Sequence, residues 1–150
     1  MREPIIFLIE EDEDTRLLFK EILKKNGYKV LPAINEADAL ERVSFGHLAV
    51  DLVLVDLVGK PTAEMLKTGR RIRRSAKLDV PLVTIAGERH DNLRGKNIQI
   101  GENDYVVYLE YGKELFDLLS SLTKGSASEK RGLKNNSSPF AYSQFHRTTE

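Results

Sequence analysis

Five short apolar runs, each separated from the next by a stretch with helical spacing, constrain this chain more than any other feature. PIIFLIE (residues 4–10) and LVLV (52–55, closed on both sides by Asp51 and Asp56) are continuous rather than alternating, the pattern of strands covered on both faces. VPLVTIA (80–86) and YVVYL (105–109) are two more, and YKVLPA (28–33), which carries Pro32, reads as an edge strand. Between them, Asp14 is expected to cap a helix reaching Asn26, with Leu18, Phe19, Ile22 and Leu23 on one face and Gly27 as its stop. Asn35 caps a second, with Ala37, Leu40 and Val43 inward. Thr62, after Pro61, opens a third whose apolar stripe is Met65, Leu66, Gly69 and Ile72, its remaining surface basic from Lys67 to Lys77. A fourth, weakened by Gly95, is expected within 88–100. The fifth carries Leu115, Leu118, Leu119 and Leu122 at i, i+3, i+4 and i+7.

Strand and helix alternating five times imply an α/β, doubly wound five-stranded parallel sheet with helices on both faces, because each right-handed crossover returns over one face. In the strand order 2-1-3-4-5, ligands bind beyond the carboxyl ends of strands 1 and 3, where the order reverses. Glu10, Glu11 and Asp12 stand at the first of those ends and Asp56 at the second. Converging carboxylates repel one another, and a divalent cation relieves the repulsion. Mg²⁺ suits such a site, since it takes hard oxygen ligands and keeps several waters. A carboxylate beside it can also act as a nucleophile toward a phosphoryl group. Glu13 and Asp14 read as solvent-facing helix-start residues, whereas Asp56 closes an aliphatic run and precedes Leu57, where a carboxylate needs a partner.

Composition narrows the classes further. Of 150 residues, 41% are hydrophobic and 31% charged, which excludes a disordered chain. Lys and Arg (23) balance Asp and Glu (23), so no global charge draws the chain to nucleic acid or an anionic membrane. With no Cys there is neither disulfide nor thiolate chemistry, and no apolar run is long enough to span a bilayer. The chain reads as cytoplasmic. His47, His90 and His146 are dispersed, and Gly59-Lys60-Pro61-Thr62 imitates the end of a phosphate-binding loop without its first Gly. Residues 124–150 are Ser-rich, lack helical or strand periodicity and carry more Lys and Arg than Asp and Glu. They read as a flexible tail or linker attached to an acidic domain spanning 1–123.

Residues 5–123 resemble the receiver domain of bacterial two-component response regulators. IEEDEDTR is similar to that family's acidic-pair motif, with Glu11 and Asp12 in the pair's positions, and DLVLVD to its phosphoacceptor strand, with Asp56 as acceptor. GENDYVVYLE is similar to its Gly-Ala-x-x-Tyr-x-x-Lys-Pro segment. The resemblance implies the flavodoxin-like receiver fold and a stand-alone signalling switch rather than an enzyme. It implies that Asp56 receives a phosphoryl group from a sensor histidine kinase or phosphotransfer protein. Mg²⁺ would be held by Glu11, Asp12, Asp56 and the backbone carbonyl of Val58. Output would pass to a downstream protein partner, and a homodimer is compatible with it.

The departures bear on the switch. The family's Ser or Thr at the end of the fourth strand is Ala86 here, its Lys is Tyr108, and Leu109 stands where Pro would follow. Thr84 is two residues back, roughly 6.5 Å along the strand. Tyr105 occupies the family's aromatic switch position. Losing a preorganised donor of that kind costs on the order of 3 kcal/mol. Two expectations follow: a phosphorelay receiver with a weakened switch, or a pseudo-receiver that works as an interaction module without phosphorylation.

Overall fold

In the computed structural model, which describes residues 2–44, 49–57 and 59–123, the apolar runs become strands of one six-stranded sheet. The elements are β1 (Ile5–Glu10), α1 (Glu13–Lys25), β2 (Lys29–Ala33), α2 (Glu36–Ser44), β3 (Leu52–Asp56), α3 (Thr62–Ser75), β4 (Leu82–Ile85), β5 (Asn97–Gln99), β6 (Asp104–Val107) and α4 (Lys113–Thr123). The sheet order is β2-β1-β3-β4-β6-β5. Its five parallel strands keep the expected succession, with β2 at one edge, and β5 adds an antiparallel strand outside β6.

Continuous apolarity in β1 and β3 has a direct cause, since every position meets a helix layer on one face or the other. Ile6 and Leu8 point toward Phe19, Ile22 and Leu23 of α1 and Leu115, Leu118 and Leu119 of α4. Phe7 and Ile9 point the other way, toward Ala39 of α2 and Met65 and Ile72 of α3. Each large side chain so buried stabilises the fold by about 1.5–3 kcal/mol. Gly69 lets α3 lie close to the sheet: a Cβ there would come within 2.5 Å of a Leu82 methyl.

Three expectations are corrected. Residues 88–100 form no helix but a 3₁₀ turn, Asp91–Leu93, followed by β5. Gly95 adopts φ +79° and donates to the Tyr108 carbonyl at 2.7 Å, while Tyr108 donates to the Lys96 carbonyl at 2.9 Å, so the segment pairs back on β6. The alternation in Asn97-Ile98-Gln99-Ile100 was the overlooked signal. The cap of α1 is Asp12 rather than Asp14, which lies in the first turn. In α2, Asn35 Oδ1 does accept from Asp38 N at 2.8 Å, but Ala39 is the buried alanine and Ala37 is exposed. Val58, His47, His146 and the tail 124–150 lie outside the described residues. Among the described residues, no helix is long and apolar enough to cross a membrane.

Candidate functional site

The parallel pairing of β1 with β3 sets Glu10 directly in register with Asp56, at the carboxyl ends of two strands on which the sheet order reverses. Glu10 is 0% exposed and Asp56 5%. Two carboxylates withdrawn this far from water require compensating charge or hydrogen bonds. Glu10 Oε2 accepts from Asp12 N at 3.1 Å, and the Glu10 carbonyl accepts from Arg16 Nη1 at 2.9 Å. The first turn of α1 thus folds back over the strand it follows.

That turn decides how the acidic residues divide their work. Asp12 Oδ2 accepts from Thr15 N at 2.9 Å and from Thr15 Oγ1 at 2.7 Å, which makes it a helix cap. Glu11 is exposed at the rim, its carbonyl accepting from Arg16 Nη1 at 3.3 Å. Of the pair read from the sequence, Glu11 and Asp12, Asp12 caps α1 through Oδ2. The residue the structure brings beside Asp56 is Glu10. Register could have shown this, because Glu10 is the last residue of the apolar run as Asp56 is of the other.

Beyond Asp56 the chain turns quickly. Leu57 N donates to Met65 Sδ at 3.2 Å, Lys60 N to the Leu57 carbonyl at 3.3 Å, and Gly59 adopts φ +76°. The carbonyl expected to serve a metal belongs to Val58, outside the described residues. Pro61 precedes α3 without a side-chain cap. A distant residue supplies one instead: Glu88 Oε2 accepts from Thr62 N at 3.1 Å, and Thr62 Oγ1 donates to Glu88 Oε1. The hydrogen bond from Thr62 holds the Glu88 carboxyl below the usual carboxylate range, outweighing partial burial. Gly87 N in turn donates to Thr62 Oγ1 at 3.0 Å.

At the expected switch positions, Ala86 is buried just past β4 and donates its N–H to the Val107 carbonyl at 2.9 Å. It offers no hydroxyl. Thr84 is wholly buried, and its Oγ1 has no hydrogen-bond partner among the described residues. Tyr105 is half-buried against the core on the α1–α4 face. Tyr108 stands edge-on to His90, ring centres 6.2 Å apart, beside a cleft of about 110 Å³ lined by Ala86, Glu88, Arg89, His90, Tyr108 and Glu110 among others.

Among the described residues, no three His, Asp or Glu side chains close on one point. Mg²⁺ asks for less: one or two carboxylates, with waters completing an octahedron. The hard oxygens of Glu10 and Asp56, in register at adjacent strand ends, fit that sparse donor set.

Residues 6–118 match the family model of the response regulator receiver domain. The transcriptional regulatory protein CpxR of Escherichia coli (strain K12) is 26% identical over 135 residues, covering 89% of this chain and 56% of its own length. The chain therefore spans little more than half of that relative. Among solved structures, the response regulator protein TrrA from Thermotoga maritima, crystallised in complex with Mg²⁺ and BeF, is 24% identical with a TM-score of 0.56, over 79% of this chain and 98% of its own. A chain from the crystal structure of histidine kinase ThkA in complex with TrrA is 21% identical with a TM-score of 0.58, over 81% and 99%. At these identities the structural likeness establishes the fold.

Proposed function

The chain belongs to the response regulator receiver family, and from that premise we propose that it serves two-component signalling as a receiver whose phosphoacceptor is Asp56, assisted by Mg²⁺, with a weakened switch. The observation that carries the reading is the in-register burial of Glu10 and Asp56 at the point where the sheet order reverses. A buried carboxylate pair at that point is chemically demanding unless it is used.

In the transfer, a carboxylate oxygen of Asp56 attacks the phosphorus of the donor. The bond from phosphorus to the donor's leaving atom breaks, its electron pair stays with that atom, and an acyl phosphate forms on Asp56. Glu11, Asp12, Asp56 and the Val58 carbonyl would hold Mg²⁺, with Glu10 in register beside Asp56, and the ion would supply positive charge against the crowded oxygens. The chain's own part is to hold Asp56 at a rigid strand end and to exclude water on the sheet side with Leu54, Leu8 and Ile85. A sensor histidine kinase is the proposed donor, supported by the ThkA–TrrA complex. Ala86 and Tyr108 favour the second reading, a pseudo-receiver, because neither provides the hydroxyl or the cation through which a phosphate would bias the fold.

Incubation with a small acyl phosphate and Mg²⁺, followed by intact mass, separates the two. The first reading expects one added phosphoryl group in the natural chain and none in Asp56→Ala. No addition to the natural chain, or an equal addition to the variant, would overturn it.

A further inference from the structure

The chain lacks the hydroxyl expected at residue 86, yet a hydroxyl stands one residue further on, delivered from α3. Thr62 Oγ1 accepts from Gly87 N at 3.0 Å and donates to Glu88 Oε1, while Glu88 Oε2 takes Thr62 N at 3.1 Å. Those three bonds join the start of α3, directly after the turn that carries Asp56, to the loop that leaves β4. A helix whose N-cap is Pro61 needs some acceptor for its first N–H groups, and a local Ser or Asp would have served equally well. An acceptor recruited from another strand's loop couples the two segments mechanically.

Contact between the segments is tight. A Cβ on Gly87 would lie 2.3 Å from the Lys60 carbonyl oxygen and 3.1 Å from Met65 Cε, so only glycine fits between the turn after Asp56 and the end of β4. The bonds also have a chemical consequence. Ala86 N–H still pairs with Val107, so Gly87 N–H is the next backbone donor beyond β4, and it is committed to Thr62. Glu88 meanwhile carries its negative charge on the loop after β4, the strand that pairs with β3. A phosphoryl group arriving at Asp56 needs hydrogen-bond donors, and in the closed arrangement Gly87 N–H is already given to Thr62.

We propose that Thr62 and Glu88 are positioning residues forming a latch between the turn after Asp56 and the β4 loop, and that its opening admits the phosphoryl group and frees Gly87 N–H. The inference rests on Asp56 being the phosphoacceptor.

The test uses the full 150-residue chain and three variants. Thr62→Val removes the hydroxyl and leaves the Glu88 charge, Glu88→Ala removes the charge and the bonds to Thr62 but leaves Thr62 Oγ1 to accept from Gly87 N, and Thr62→Ser keeps the hydroxyl. Two quantities are measured: amide hydrogen exchange at Gly87, and the maximal rate of labelling by a small acyl phosphate with Mg²⁺, extrapolated to donor saturation. Thr62→Val should exchange Gly87 faster and label about tenfold faster, the factor corresponding to one hydrogen bond of ordinary net strength. Glu88→Ala should also label faster, with Gly87 exchange raised less than in Thr62→Val, and Thr62→Ser should keep the natural behaviour. Label in the natural chain, with faster label and faster Gly87 exchange in Thr62→Val, would support the latch and the acceptor together. A natural chain that labels at Asp56, with both Thr62→Val and Glu88→Ala no faster, would overturn the latch and leave the acceptor standing. Label absent from every form, with Gly87 exchange raised in Thr62→Val, would overturn the acceptor and the gating role while leaving the hydrogen bonds themselves in place.

Discussion

Replacing Asp104 should show how firmly the far side of the sheet is held. Asp104 opens β6 with its side chain 8% exposed, accepting from Arg70 Nε at 2.7 Å and Arg73 Nη2 at 2.6 Å. Both arginines come from α3, so one carboxylate ties that helix to β6. Arg73, 18% exposed, also donates to the Val80 and Asn103 carbonyls at 3.0 and 3.1 Å. Arg70 is 42% exposed. A charge-assisted bond in Arg73's surroundings contributes about 1.5–3 kcal/mol, and the more exposed Arg70 pair under about 1. Relief of the carboxylate's desolvation offsets part of that, leaving about 2 kcal/mol for Asp104→Ala. Burial alone would raise the Asp104 pKa, but the two guanidinium groups outweigh it and hold the carboxyl below its usual range. The sign for stability follows from that depression. The contribution is fully present above the unfolded value, about 3.9, and is lost as pH falls through the lower folded value. Urea denaturation of the natural chain, Asp104→Ala and Asp104→Asn at pH 7, with the slope unchanged, measures the loss, and a series to lower pH should show the natural chain's advantage over Asp104→Asn shrinking below about pH 4. A loss under about 0.5 kcal/mol at pH 7, or an advantage that persists undiminished at pH 2, would refute the clamp.

Three further outcomes are expected. Thr84→Val should raise the thermal midpoint, because it removes a buried hydroxyl lacking a partner and keeps its shape, a gain of about 1 kcal/mol; a lower midpoint would mean that the hydroxyl is satisfied. Gly87→Ala should destabilise by about 1–3 kcal/mol in thermal melts, since the Lys60 carbonyl it meets is backbone and yields little. Mg²⁺ at a hundred times its dissociation constant should stabilise the native chain by about 2.7 kcal/mol, and an equal midpoint shift in Asp56→Ala would place the metal elsewhere.

The parallel core was legible because its signal is redundant. Ile6 to Ile9 and Leu52 to Val55 are apolar at every position, and no other arrangement buries both faces. The helices were legible where their apolar spacing was complete, as in Leu115, Leu118 and Leu119. Reading failed where few residues carry the decision. Between Gly87 and Gly101, only Leu93, Ile98 and Ile100 are aliphatic, too few to commit the segment to a helical face, and a glycine at φ +79° directs it back along β6. At the site, the acidic run Glu10 to Asp14 was recognisable as a group, but the position at which strand becomes helix decides which member caps and which is buried. That boundary is the least legible quantity in a sequence. The Thr62–Glu88 latch could not have been read, since residues 26 apart meet only through the β3–β4 pairing.

The extra strand changes what one flank of the domain can be asked to recognise. Lys96 and Ile100 spend their main-chain groups on β6, through Tyr108 N to the Lys96 carbonyl and Ile100 N to the Asp104 carbonyl, so by antiparallel alternation Asn97 and Gln99 turn theirs outward. A helix in this place would display side chains, and its binders would be selected by their chemistry. An open strand edge selects by conformation and register, and it tolerates wide variation in the side chains of whatever extended segment lies along it. With three residues of edge bounded by Lys96 and Glu102, that tolerance is confined to short segments, a length too small to template continued sheet growth.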